Sequence, residues 1–201
     1  MSCPGTRLYG SGSKNLEGVP GEGEIPLPKI FNMRLFMASV LAAAIGVAGA
    51  TDTDTWHGYS DEESGYSIQF PKPPSVKTSQ RKLFGGVVPM KTLEYNTESV
   101  GLMVMDCTLD DHYDYKGRER QFVDDSIKAT KWNDGGKVSE VAKFTWKGAP
   151  GTSVRVVSPG FEMRMYTLLY KHHYIQLFVA GEPGRLDMKV GKKFIDSFKL
   201  Y

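Results

Sequence analysis

From Tyr66 to Phe70 the chain alternates, with Tyr66, Ile68 and Phe70 apolar and Ser67 and Gln69 polar. A period of two puts the three large side chains on one face of a half-buried strand. Pro71, Pro73 and Pro74 end it, because proline has no N–H to give a ladder. Residues 76–84 and 87–95 flank Gly85-Gly86, which predicts a hairpin. Pro89 inside the second arm predicts an edge strand or a bulge. Gly101 to Leu109 alternates again: Met103, Met105, Cys107 and Leu109 share one face, Leu102, Val104, Asp106 and Thr108 the other. Then the period changes. Over 117–131, Val123, Ile127 and Thr130 recur at i, i+4 and i+7 with Phe122 beside them, the stripe of an amphipathic helix. Asn133 to Gly136 is its stop signal.

The second half predicts a strand over 137–146, a turn over 148–151, and three more strands over 152–158, 161–169 and 174–181 in a meander. A second helix is expected to open at Glu182-Pro183-Gly184, with proline near its first position. Leu186, Val190, Phe194 and Phe198 form its buried stripe, and Lys189, Lys192 and Lys193 its wet side. Seven or eight antiparallel strands and two helices far apart in sequence make an α+β sandwich: a sheet of about seven strands packed by two helices, on one face or on both.

The N-terminal part reads differently. Met33-Arg34 begins a short basic start, Leu35 to Ala50 carries no charge, and Ala48-Gly49-Ala50 precedes the polar run Thr51 to Thr55. That order predicts a signal peptide at 33–50, cut between Ala50 and Thr51. The alternatives are an uncleaved anchor, for which the apolar run is short of the ~20 residues a spanning helix needs, and a core helix, which does not suit a segment apolar all round. Residues 1–32 are rich in Gly and Pro and have no apolar period, so they are expected to be a mis-called or disordered leader. The expected organisation is therefore 1–32 leader, 33–50 signal peptide and 51–201 a single α+β domain. The protein is expected to be exported, periplasmic or secreted, with no stable membrane insertion after cleavage.

Composition narrows the partner. Residues 1–50 hold four of the 25 basic and three of the 23 acidic residues, which leaves 21 and 20 in the rest of the chain. So even a balance argues against nucleic acid, whose phosphates call for a basic excess. Cys107 is the one cysteine after the cut, so no internal disulfide supports the domain and no lipid anchor is indicated.

Trp56 followed by Gly65-Tyr-Ser-Ile-Gln-Phe-Pro71, and the closing Gly181-Glu-Pro-Gly184 with Phe194-Ile-Asp-Ser-Phe-Lys-Leu200, resemble the PsbP-like fold family. That family includes the extrinsic photosystem II subunit, a Ran-binding Mog protein and many small exported bacterial proteins without assigned activity. The resemblance covers nearly all of 51–201. It implies an antiparallel sheet packed by helices and used for docking to partners in place of catalysis. It carries no functional residue over to this chain.

Chemistry is sparse. Residues 51–201 contain no P-loop, G-x-G-x-x-G, H-E-x-x-H or G-x-S-x-G, and no cofactor is implied. Cys107 within an apolar alternation reads as a packed small hydrophobe. Asp110, Asp111, His112 and Asp114, between a strand and a helix, offer oxygen and imidazole ligands to a cation; the plainer reading is a solvated turn with Asp114 as helix cap. Met103/Met105 and Met163/Met165 each project two thioethers to one side, a soft set that suits Cu(I) if the two strands are neighbours and converge. Core packing is the plainer reading there too. His172 and His173 point apart if extended and meet only across a turn at Lys171-His172; His173, on the face of Ile175, Leu177 and Val179, is expected to be a partly buried ring with a local hydrogen bond. Lys116, Arg118 and Arg120 put positive charge at a helix start, where an acidic partner segment would dock, or else form a solvated face. Two function classes follow. One is a non-enzymatic binding or assembly module docking to a protein partner. The other is a small-ligand or metal binder, or an enzyme, with its site assembled from Asp106, His112 and His173. The exposure of Asp106 decides between them.

Overall fold

In the computed structural model, which describes residues 55–83, 85–130 and 136–201, the elements run β1 (His57–Asp61), β2 (Tyr66–Phe70), β3 (Ser75–Leu83), β4 (Gly86–Asn96), β5 (Gly101–Thr108), α1 (Glu119–Ala129), β6 (Lys137–Trp146), β7 (Ala149–Ser158), β8 (Phe161–Tyr170), β9 (His173–Gly181), α2 (Met188–Ser197) and β10 (Lys199–Leu200). The leader, the signal segment, the Ala50/Thr51 junction and Asn133 to Gly135 lie outside the described residues. Seven strands form one antiparallel sheet in the order β3-β4-β5-β9-β8-β7-β6. β1, β2 and β10 form a separate three-stranded sheet, antiparallel throughout. The α+β class with a seven-stranded sheet and two helices is therefore what the sequence predicts, with the first and last strands peeled off into a layer of their own.

The large sheet is covered on both faces, which is why its central strands are apolar on both. Of β5 only Thr108 is not fully buried. On one face, Met103, Met105 and Cys107 meet Val123 and Ile127 of α1 and the loop residues Leu109, Tyr113 and Tyr115. On the other, Leu102 and Val104 lie in a core with Tyr66, Ile68 and Phe70 of β2 and Phe194 and Phe198 beside them. Tyr66 stacks on Phe198 at 5.5 Å and Phe70 tilts against Phe194 at 5.1 Å between ring centroids. Burying each such ring contributes about 2–3 kcal/mol, so β2 and α2 hold each other on the sheet.

Several boundaries differ from the pattern reading. The turn expected at 148–151 is Lys147-Gly148, both at positive φ, and Ala149 to Gly151 already belong to β7. Gly151 pairs with Phe144, whose ring lies 2.2 Å from where a Cβ would stand, so this strand position calls for glycine. α2 opens at Met188, not at Pro183: the Asp187 side chain accepts from the Lys189 and Val190 amides, both at 3.0 Å, and a capped start prevails over a proline signal. Asp114 does not cap α1; the cap position is Arg118, which offers no side-chain bond. Pro89 lies on an inner strand but beyond its last residue paired to β5, Met90, so it removes no bond on that side.

Candidate functional site

The buried polar groups gather where the small sheet sits on the large one. Asp61 ends β1 and closes its own turn: its Oδ1 accepts from the Ser64 amide at 3.1 Å and its backbone oxygen from the Gly65 amide at 2.9 Å. Gly65 takes φ +69° there, a left-handed conformation that glycine adopts without strain. The turn places Asp61 Oδ2 against the ammonium of Lys91 on β4, and Ser64 Oγ against Oδ2 of Asp106 on β5. The other oxygen of Asp106, Oδ1, lies 3.0 Å from His173 Nδ1 at the head of β9. Lys91 and Asp106 are direct cross-strand partners, and His173 is one step along the same face, next to Ile175 opposite Asp106. A chain of contacts Lys91–Asp61–Ser64–Asp106–His173 thus crosses from the large sheet to the small one and back.

All of it except the lysine is sealed: Asp61, Ser64, Asp106 and His173 are 6%, 2%, 3% and 1% exposed. Burial opposes the charge of Asp61, but the bonds from Lys91 and Ser64 outweigh it and hold its carboxyl below the usual carboxylate value. Burial likewise opposes the charge of Lys91, and Asp61 overrides it, raising the ammonium above its ordinary value. Tyr66 is driven strongly upward, first by burial and then by the negative charges of Asp106 and Asp61. Its hydroxyl and His173 Nε2 are both buried, with no hydrogen-bond partner among the described residues.

The arrangement has the components of a nucleophilic site in the wrong order. A hydroxyl nucleophile needs the imidazole between itself and the carboxylate, so that the ring takes its proton. Here the carboxylate is in the middle. Ser64 Oγ donates to one oxygen of Asp106 and His173 Nδ1 lies against the other, and among the described residues no hydrogen bond joins the ring to Ser64 Oγ. The bonds serve to tie two sheets together.

Other candidates are scattered. His112 is exposed in the loop after β5 and its ring lies against Asp110, whereas Asp106 and His173 are sealed, so it does not join them. His172 and His173 do meet across a turn at Lys171-His172, their rings 4.2 Å apart, but His173 is wholly buried and its bond goes to Asp106, a distant residue in place of a local one. Asp110 faces His112 at 3.2 Å, Asp111 pairs with Lys116 at 2.9 Å and Asp114 with Arg118 at 2.8 Å, so the acidic residues turn to separate partners. No group of three or more His, Cys, Asp or Glu among the described residues could hold a metal ion. Arg120 turns inward, its guanidinium donating to the carbonyls of Gly151 and of Phe144, the latter at 2.6 Å, so the three basic residues do not present one surface. Met103, Met105, Met163 and Met165 are buried on one face, but β9 stands between β5 and β8 and the two strands are not neighbours. Met165 Sδ instead accepts from Gln176 Nε2 at 3.3 Å, and Met105 Sδ lies against the Arg81 guanidinium. Burial pushes the Cys107 thiol up to about 11, away from nucleophilic use.

Asp106 and His173 were open to sequence reasoning through alternation. Asp61, Ser64 and Lys91 were not, since Asp61-Glu-Glu-Ser64 reads as an ordinary polar turn and a lysine on an inner strand gives no pattern.

No protein-family model matches the chain, and no curated protein matches it. Among solved structures it is similar to cyanobacterial PsbP (CyanoP) from Synechocystis sp. PCC 6803, at 15% identity over 78% of this chain and 99% of that one, with a TM-score of 0.46.

Proposed function

We propose that the protein is an exported, non-enzymatic binding or assembly module that docks to a protein partner by its surface. The observation that carries this reading is the state of Asp106 and His173. The best acid–base pair in the chain is sealed at 3% and 1% exposure and committed to joining two sheets, with Ser64 bonded to the wrong member for nucleophilic attack. A group that substrate does not reach performs structural work. Among the described residues, no helix is long and apolar enough to cross a membrane.

Site-specific photo-crosslinking in intact cells tests the reading. A photoreactive residue placed in turn at Val76, Val87, Val141 and Met188, all exposed, is expected to give a discrete protein adduct from at least one position. Turnover of an ester, phosphoester, glycoside or peptide substrate by the purified protein, abolished in Asp106→Asn and His173→Phe, would overturn it.

A further inference from the structure

The two edges of the large sheet are treated differently. β6 is irregular: its register with β7 shifts between Ser139 and Ala142, and Glu140 sits at φ 50°. Bulges of this kind twist an edge away from further pairing. β3 is regular. Its nine residues pair one-to-one with β4 from Ser75↔Glu94 to Leu83↔Gly86. Among the described residues no strand lies on its outer side, and Ser75 to Gln80 and Lys82 are exposed.

Backbone alternation says which groups face outward. Leu83 and Gly86 close a two-residue hairpin, and such a closing pair exchanges both its N–H and C=O bonds. Lys77, Ser79 and Arg81 therefore bond β4, while Val76, Thr78, Gln80 and Lys82 present N–H and C=O to solvent. β3 has no acidic residue; it carries Lys77, Arg81 and Lys82, with Lys72 just before it. Lys77 reaches Glu94 at 2.7 Å, but among the described residues no carboxylate pairs with Lys72, Arg81 or Lys82. Arg81 leans over the sheet to Met105 Sδ and to Gln176 Oε1 at 3.1 Å, so its charge lies inward, over β5 and β9, and Lys72, Lys77 and Lys82 are the charges left at the edge.

From this we infer that β3 takes an acidic, extended segment of a partner protein as an eighth strand of the large sheet. The inference rests on the docking reading above and names the surface and the partner's chemistry. Backbone bonds along an open edge supply affinity, and side chains at alternate positions supply selectivity. A second copy of this chain is the poorer occupant: pairing β3 with β3 sets lysines against one another across the strands, and like charges directly opposite are destabilising. An acidic strand meets Lys77 on one face of β3 or Lys82 on the other, whichever face its alternate carboxylates take.

The probe is a labelled eight-residue peptide of alternating threonine and glutamate, titrated into the full-length protein by fluorescence anisotropy at low salt. It is expected to bind, to weaken with added salt, and to slow amide exchange at Val76, Thr78, Gln80 and Lys82. The Lys77→Glu, Lys82→Glu double variant is expected to lose at least tenfold in affinity for it and to gain affinity for a second peptide of alternating threonine and lysine. Thr78→Pro, which removes one outward N–H and leaves the β4 ladder whole, is expected to lose at least tenfold, as is a peptide N-methylated along the paired edge. Circular dichroism at each step checks that the variants are folded. Unchanged binding in the folded variants, protection confined to other strands, or a β3-dependent dimer would overturn the proposal. Cell crosslinks from Val141 or Met188 with β3 silent would overturn this surface and leave docking standing, whereas no adduct from any position would remove the docking reading itself.

Discussion

Asp61 holds its own turn with one oxygen and the half-buried ammonium of Lys91 with the other. Its lowered carboxyl and the raised ammonium of Lys91 are two views of one pair, so their effects are not summed. A carboxyl depressed on folding stabilises fully above its unfolded value, near 3.8, and loses that stabilisation as pH falls through the lower folded value. An ammonium raised on folding stabilises fully below its unfolded value, near 10.5, and loses it as pH rises through the higher folded one. Lys91→Met leaves Asp61 ionised and uncompensated. The cost at pH 7 is expected to be about 2 kcal/mol, below the ~3–5 kcal/mol of a fully buried pair because the lysine keeps 28% of its side chain exposed. Urea denaturation of both proteins at pH 7 and pH 3 checks this. The gap narrows at the lower pH if Asp61 carries it, and an undiminished gap at pH 3 means that packing of the lysine stem carries it instead. None of this was legible in the sequence, because a lysine and an aspartate thirty residues apart show no periodic signal. Asp106 was legible, as a polar intruder on a face with Leu102 and Val104, and its burial follows from the small sheet that covers that face.

At the scale of elements, apolar period was a good guide wherever one face packs, and local chemistry corrected it at the ends. β2 alternates because only one face of the small sheet meets the core, whereas β5 is apolar on both faces because both are covered. That double cover is also why the Met103, Met105 and Cys107 face carries no signal that separates ligands from core. α2 shows the balance of forces within one element. Gly191 lies mid-helix, where alanine is favoured by about 1 kcal/mol. Its missing Cβ, however, would stand 2.5 Å from Val179 Cγ1 on β9. Valine is stiff at χ1, so it does not rotate clear without cost. Overpacking penalties of about 1–3 kcal/mol exceed the helix gain. Gly191→Ala is expected to lower stability by about 1 kcal/mol, and in a Val179→Ala background the same change is expected to raise it. Thermal or urea melts of the four proteins of this cycle check the sign. A loss of equal size in both backgrounds would place the strain in the helix backbone and not at the β9 contact.

The described residues are closed by their first and last segments. β10 pairs with β2, the Tyr201 amide donates to Gly65 O at 2.9 Å, and Tyr170 Oη donates to Tyr201 O at 2.7 Å, so the last residues lock the turn that carries Asp61 and Ser64. At the other end Trp56 packs on the core beneath α2, with Lys193 Nζ 4.7 Å from its ring centroid. Trp56 lies only five positions beyond Thr51, and the polar run Thr51 to Thr55 separates the two. A cut between Ala50 and Thr51 therefore keeps Trp56 and every contact described above with the domain. The proposal of export rests on the basic start at Met33-Arg34, the uncharged Leu35 to Ala50 and the small residues before the cut. Intact-mass and N-terminal peptide analysis of the protein from an envelope or secreted fraction is expected to find Thr51 first. A membrane-bound protein that retains Leu35 to Ala50 would replace the signal peptide with an anchor. Peptides from residues 1–32 in the same sample would show that translation starts at Met1, and would make the leader part of the protein in place of a mis-called extension.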